Sequence, residues 1–261
     1  MPHQVTSQFL AGRRLVRFAA IDSTNIEAQR RYGAGERGPL WLWSLAQSHG
    51  KGRLAGRAWV SEPGNLYSTY LVTSAAPTRF LSQASFVAGL AVVDAIDRLG
   101  GGKLEVALKW PNDVLVAGRK VSGILIESLG GSDADGWTLA IGCGINLAHA
   151  PDNVRYPAIA LADCGVSVNP EVALPVYAEA LEGRLAQWDG GRGFAAIRRD
   201  WLAHGPPQGS ALVADTGREQ LSGRFAGLGA GGALRLALAG GAIREIHAGD
   251  VEPVRHGEEM A

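Results

Sequence analysis

The chain is short of cysteine, of net charge and of long apolar runs, and each shortage removes a class of protein. Only two cysteines, Cys143 and Cys164, occur in 261 residues. They make no disulfide framework, and their spacing matches no metal motif. Such usage points to a reducing compartment. Lys plus Arg and Asp plus Glu stand at 25 each. A neutral chain gives no global argument for a polyanionic partner, so no nucleic acid is expected. No window reaches the roughly 18 consecutive apolar residues of a membrane span. Residues 1–11 carry no signal-peptide pattern. A soluble cytoplasmic protein is expected, with no membrane partner. No internal repeat occurs, and hydrophobic residues still make up 46% of the chain, enough for a substantial core.

Against that neutral background stands one concentrated feature. Residues 50–57 read Gly-Lys-Gly-Arg-Leu-Ala-Gly-Arg, with three glycines and three permanent cations in eight positions. Glycine lets a backbone bend sharply and bring its N–H groups near a ligand. Successive N–H groups in such a bend form an anion-binding concavity. Lysine adds a compact charge, and arginine adds a planar fork matched to phosphate or carboxylate oxygens. The spacing is not that of a Walker A loop. It also differs from the Rossmann pattern, and Pro63-Gly64 downstream argues against the helix that pattern must open. The reading is an anion loop between strands, weighed against a solvated hairpin tip.

The rest of the chain alternates strand-like and helical segments. Strands are expected at 15–18, 40–46, 65–72, 105–110 and 137–143, and a hairpin over 114–117 and 121–128. Thr24 and Glu27 have capping-box spacing, predicting a helix start after Asp22-Ser23. Phe86, Val87, Leu90, Val93, Ile96 and Leu99 recur at threes and fours, predicting a helix over 82–99. Two further helices carry Leu174 to Trp188 and Phe194 to Trp201. A Pro-Gly break at 205–209 then opens a different texture. Short segments at 210–214, 220–228, 233–239 and 242–247, separated by glycine turns, predict a small all-β barrel or sandwich.

Three more constellations deserve weight. Lys109-Trp110-Pro111-Asn112-Asp113 places a lysine at a strand end among apolar neighbours. A partly desolvated lysine is paired or functional more often than a surface one, although the run also fits an ordinary strand end. Gly142-Cys143-Gly144-Ile145-Asn146 runs a strand into a polar side chain; it fits equally a close backbone packing site. Asp22-Ser23-Thr24-Asn25 fits a plain helix cap, and helix N-termini also offer free N–H groups to ligands.

Taken in order, these pieces resemble the biotin–protein ligases. The resemblance is carried by residues 22–25, Gln47, 50–53 with Gly56-Arg57 and Trp59, 64–67, 109–113, 120–127 and 142–146, and spans about 15–255. It implies an α+β fold: a mixed-sheet catalytic domain of the class II aminoacyl-tRNA synthetase-like, biotin–lipoate ligase type over 1–205, and a small SH3-like barrel over 210–256. Two departures stand out. The family usually reads G-R-G-R-x-G-R-x-W. Here Lys51 replaces the first arginine, and one extra residue lies in Leu54-Ala55 before Gly56. Only about twenty residues precede Asp22, too few for the helix-turn-helix of the repressor members. The short, enzyme-only form is therefore expected.

The resemblance implies a chemistry. Biotin and ATP give biotinyl-5′-AMP and pyrophosphate, and biotin then passes to one lysine of the carrier domain of a biotin-dependent carboxylase. Lys109 and Arg53 are the expected catalytic residues. Ser23, Thr24, Gln47, Gly50, Lys51, Arg53, Lys109 and Gly123 are expected around biotin. Arg53, Arg57, Trp59, Lys109, Asn112 and Asn146 are expected around ATP and the adenylate. Mg²⁺ would accompany the departing pyrophosphate, with Asp113 as a ligand. Residues 50–59 are expected to order over the adenylate, the carrier to dock along a sheet edge, and a homodimer is possible. The alternatives are a lipoate- or octanoate-type acyl-adenylating ligase and a non-catalytic biotin or nucleotide sensor.

Overall fold

A computed structural model gives the fold, and the structure describes residues 4–53, 59–152, 154 and 156–254. The chain opens with a hairpin of β1 (Gln4–Leu10) and β2 (Arg13–Phe18), then α1 (Thr24–Gly33), β3 (Leu40–Ser44) and β4 (Leu66–Ser74). A 3₁₀ turn, Thr78–Gln83, leads into α2 (Ala84–Gly100). Four strands follow: β5 (Val106–Lys109), β6 (Asp113–Val116), β7 (Arg119–Ser132) and β8 (Gly136–Ile145). Next come α3 (Pro170–Trp188) and α4 (Phe194–His204). The last elements are β9 (Ala211–Asp215), β10 (Gln220–Leu228), β11 (Leu234–Ala237), β12 (Ile243–Ile246) and β13 (Asp250–Pro253).

The strands form two sheets. The large one has eight strands in the order β1-β2-β3-β4-β8-β7-β6-β5. Only β2 and β3 run parallel, joined by α1 as crossover, so the fold is mixed α+β. The small one is a five-stranded antiparallel sheet in the order β12-β11-β10-β9-β13. Sequence reading missed β1 and β13. Of the four residues of β13 only Val251 is a buried hydrophobe, too short a run for alternation to register.

Alternation along each strand divides the large sheet into two faces. Trp41, Trp43, Leu66, Tyr70, Leu139, Ile141 and Ile145 join the core shared with α2, α3 and α4. Val16, Phe18, Leu40, Leu42, Leu71 and Ala140 form a smaller cluster under Ala28 of α1. Thr78–Gly100 is long and apolar enough to cross a membrane, but 72% of its apolar window is buried in the protein. It is a core helix, with Phe86 edge-on to Phe194 and Trp201. Among the described residues, polar contacts from Trp110, Arg198 and Arg53 fasten the small sheet to the large unit. Trp110 Nε1 donates to the Gly232 carbonyl at 3.1 Å, Arg198 Nε to the Leu228 carbonyl at 2.8 Å, and Arg53 to Gly249 and Asp250.

The start of α1 departs from expectation. Thr24 and Glu27 do not form a capping box. The N-cap is Ser23, and its side chain makes no cap hydrogen bond. Thr24 N–H instead donates to Gln47 Oε1 at 2.8 Å. Glu27 turns to Arg31 at 2.8 Å and Arg30 at 3.2 Å. A distant glutamine supplies the acceptor because the segment after β3 runs against the helix start: Ile21 and Gln47 bridge in parallel, and Ser48 N–H donates to Ile21 O at 2.9 Å.

Candidate functional site

Two cavities meet on the α1 face of the large sheet. The inner one, with about 480 Å³ of empty space, is bounded by Ser23, Thr24, Gln47, Trp59, Gly123 and Gly144 among others. The outer one, about 1200 Å³ with its open mouth, is bounded by Trp59, Lys109, Asn146, Tyr156, Asp250 and Glu252 among others. Gly52, Arg53, Trp59, Asn112 and Lys120 line both. The inner cavity exists because the strands beneath it carry almost no side chains on that face. A Cβ at Gly142 would collide with Asn25 Oδ1, and one at Gly144 would lie 2.6 Å from the Trp59 indole. At Gly123 the same indole would lie 2.8 Å away. Glycine is needed here for room, whatever its backbone angles.

The far end of the inner cavity is a polar network. Thr24 Oγ1 lies 3.2 Å from Gln47 Oε1, and Gln47 Nε2 donates to Ser61 Oγ at 3.0 Å. Thr69 Oγ1 donates to Asn25 Oδ1 at 2.6 Å. Asn25 Nδ2 donates to Glu127 Oε2 at 2.7 Å, and Gln29 to the other oxygen at 3.0 Å. Every member is thereby held in one orientation, as a buried polar network requires. Ser23 and Thr24 are buried beside it. Asn25 and Glu127 lie in segments that carry the resemblance but were not assigned to the site, and Thr69 was not singled out. Their signal was weak, since a polar residue in the first turn of a helix or on a strand facing one is also an ordinary surface position.

Cations gather at the junction. Lys109 ends β5 and pairs with Asp113 of β6 across a three-residue turn, with Nζ 3.7 Å from Asp113 Oδ2. Lys120 enters from β7, its Nζ 2.6 Å from Asp113 Oδ1. Lys109 Nζ also sits 4.1 Å from the centre of the Tyr156 ring. Burial lowers the Lys109 pKa from the ordinary lysine value, a pull that Asp113 opposes and Lys120 reinforces. Lys120 Nζ lies 5.3 Å from the centre of the Trp59 ring. Lys120 was overlooked as a site residue, yet the expected hairpin returns it beside Asp113.

The remaining expected residues fall around this junction. Gly50 closes the base of the cationic loop, its carbonyl accepting from Trp59 N–H at 2.9 Å. Lys51 is exposed at the inner cavity. Asn112 Nδ2 donates to Ile124 O at 2.7 Å, which ties the turn to β7. Asn146 is buried, with Nδ2 3.2 Å from Ile159 O, and lines the outer cavity. Arg57, the Leu54-Ala55 insertion and Gly56 lie outside the described residues, and so does half of the 50–59 segment expected to order. Asp113 was expected to hold a metal ion. Its oxygens face two ammonium groups instead. Among the described residues no group of three or more His, Cys, Asp or Glu is arranged to hold one. The donor set does not fit a resident metal site.

Comparison with known proteins places this arrangement. Residues 18–146 match the biotin/lipoate A/B protein ligase family model. A biotin–[acetyl-CoA-carboxylase] ligase of Paracoccus denitrificans is 39% identical over 234 residues, covering 87% of this chain and 95% of that protein. One from Mycobacterium tuberculosis is 33% identical over 182 residues, covering 67% and 65%. Among solved structures, the biotin protein ligase of Aquifex aeolicus in complex with biotin and ATP superposes with a TM-score of 0.75 at 28% identity, covering 92% of this chain and 98% of that one.

Proposed function

The chain belongs to the biotin/lipoate A/B protein ligase family, and from that premise we propose how its two cavities divide the work. The activity is ATP-dependent biotinylation of acetyl-CoA carboxylase by way of biotinyl-AMP. The carboxylase's carrier domain is the acceptor.

Biotin takes the inner cavity and ATP the outer. A ureido ring needs a few fixed donors and acceptors, and the Thr24–Gln47–Asn25 network supplies oriented ones at the closed end. That polarity favours biotin over a lipoyl or octanoyl chain, whose end is apolar. The carboxylate tail then points to the junction. There its oxygen attacks the α-phosphorus, the bond to the β-phosphate oxygen breaks, and pyrophosphate leaves. Two anions must approach each other for this step. Lys109, Lys120 and Arg53 offset the repulsion and bind the charge that accumulates at the α-phosphate. Trp59 and Asn146 flank the nucleotide, and Gly123 lets the ligand approach the β7 backbone. In the second step the carrier lysine amine attacks the biotinyl carbonyl carbon, and AMP departs.

The observation that carries this reading is the convergence of Lys109, Lys120 and Arg53 where the cavities join. Magnesium arrives with ATP, held by the phosphates, and Asp113 serves as counter-ion to the two lysines. The division into a catalytic unit over 1–205 and an SH3-like barrel over 210–256 belongs to the same reading, as do a cytoplasmic location, a carrier docking on a sheet edge, and a possible homodimer that binds no nucleic acid. The test is pyrophosphate release from ATP with biotin, lipoate or octanoate, followed by transfer to a carrier domain. Turnover with biotin alone supports the reading, and preference for lipoate overturns it.

A further inference from the structure

Among the described residues, Arg53 joins the cationic loop to the small sheet. Arg53 Nη2 donates to the Gly249 carbonyl at 2.7 Å and to Asp250 Oδ1 at 2.6 Å. The pair is sheltered, with the Arg53 and Asp250 side chains 26% and 19% exposed. The acceptors are built into the fold. Gly249 has φ +148°, and a Cβ there would collide with the Asp215 carbonyl. Only glycine lets the chain enter β13 at that angle. Asp250 then pairs with Asp215 of β9, which fixes its backbone.

Both acceptors take the same nitrogen. A guanidinium carries five N–H donors in a planar fork. Arg53 Nε and Nη1 make no hydrogen bond to any described residue, while the side chain lines both cavities. A fork held at one tip leaves its other donors for a bidentate anion contact. Arg53 itself lies in neither a helix nor a strand. An unanchored arginine would lose rotamer freedom when substrate fixed it. The clamp removes that cost before substrate arrives.

We propose that Asp250, with the Gly249 carbonyl, is a positioning residue for Arg53, so that the small sheet sets the geometry of adenylate formation. This rests on the reading of Arg53 as a residue that brings carboxylate and α-phosphate together. The experiment is a double-mutant cycle on the full chain with Arg53→Ala, Asp250→Ala and the pair, reading single-turnover pyrophosphate release alongside thermal melts. Asp250→Ala slows release by about tenfold, the scale of one misplaced contact. Asp250→Asn, which keeps an acceptor oxygen, recovers most of the rate. In the Arg53→Ala background Asp250→Ala adds no further loss, which a merely structural role would not produce. Should Asp250→Ala fail to fold, Asp250→Ser completes the same cycle. A slow Arg53→Ala with a parental Asp250→Ala overturns the clamp and leaves the role of Arg53 standing. Additive losses also overturn it. A parental rate in Arg53→Ala overturns the role of Arg53 and the clamp together.

Discussion

Along β4, β7 and β8 the side chains directed at α2 and α3 include Tyr70, Ile124, Ile141 and Cys143, all buried. On the opposite face, directed at α1, the same strands carry Thr69, Gly123, Gly142 and Gly144. One face is filled with buried side chains. The other is emptied and lined with a polar network. The difference teaches that a binding cavity in this sheet is made by subtraction. The strands are held in register by the packed face, and the glycines then leave their backbone open to a ligand. Stability and chemistry are thus separable by face, a separation that mutations can break.

The largest effect is expected at the junction itself. Lys109→Ala should slow pyrophosphate release by about a hundred- to a thousandfold, the usual scale for removing one group that stabilises developing charge. Its melting temperature should hold or rise, because burial already disfavours the charged lysine. Single-turnover kinetics and calorimetry on the same sample check both halves. A melting temperature that falls in step with the rate would place Lys109 in the framework rather than in the chemistry.

The packed face should answer in the opposite way. Ile141 is fully buried on β8, between Ala140 and Gly142 of the α1 face. Ile141→Ala should cost about 3 kcal/mol of unfolding free energy, a typical transfer-plus-cavity penalty. Biotin affinity in the folded fraction should be unchanged. Denaturant melts and calorimetric titration separate the two.

Gly142→Ala tests the emptied face with a single methyl. The new Cβ would meet Asn25, which Glu127 and Thr69 hold in place. The start of α1 must then lift, and Gln47 loses its alignment with Thr24. Biotin affinity should fall by about tenfold, the worth of one well-placed hydrogen bond to a buried group, with little change in ATP binding. An equal loss for both ligands would mean that the cavities are not divided as proposed.

Sequence reading reached the packed face more easily than the emptied one. Phe86 to Leu99 announced α2 because six apolar residues at helical spacing leave little choice. The loop at 50–53 and Lys109 were legible because charge and glycine in a neutral chain are conspicuous, and Gln47 through the family resemblance alone. Asn25 was read only as part of a helix cap, and Asp250 not at all. Their roles depend on partners far away in the chain: Asn25 on Glu127, and Asp250 on Arg53. Local spacing carries no trace of such pairs. The capping box failed for the same reason, since Gln47 outbid a neighbour three residues away.

The smallest effect is a pH shift, and it isolates one pair. The Lys109 pKa lies below 10.5 because burial disfavours its charged form, while Asp113 opposes that pull and Lys120 adds to it. Between the lowered value and 10.5 the native state binds fewer protons than the unfolded chain. Stability therefore rises with pH across that window, and the contribution of Lys109 is fully unfavourable only below it. Activity runs the other way, since the anion-binding form is the cation. Pyrophosphate release should fall on the alkaline side before free lysine would titrate. Asp113→Asn removes the opposing charge, so Lys109 loses its proton sooner and the alkaline limb moves to lower pH. Lys109→Arg keeps its charge throughout and should abolish that limb. If Asp113 instead held magnesium, Asp113→Asn would raise the magnesium needed for half-maximal rate and leave the alkaline limb in place. A rate–pH profile at two magnesium concentrations distinguishes a lysine's counter-ion from a metal's ligand.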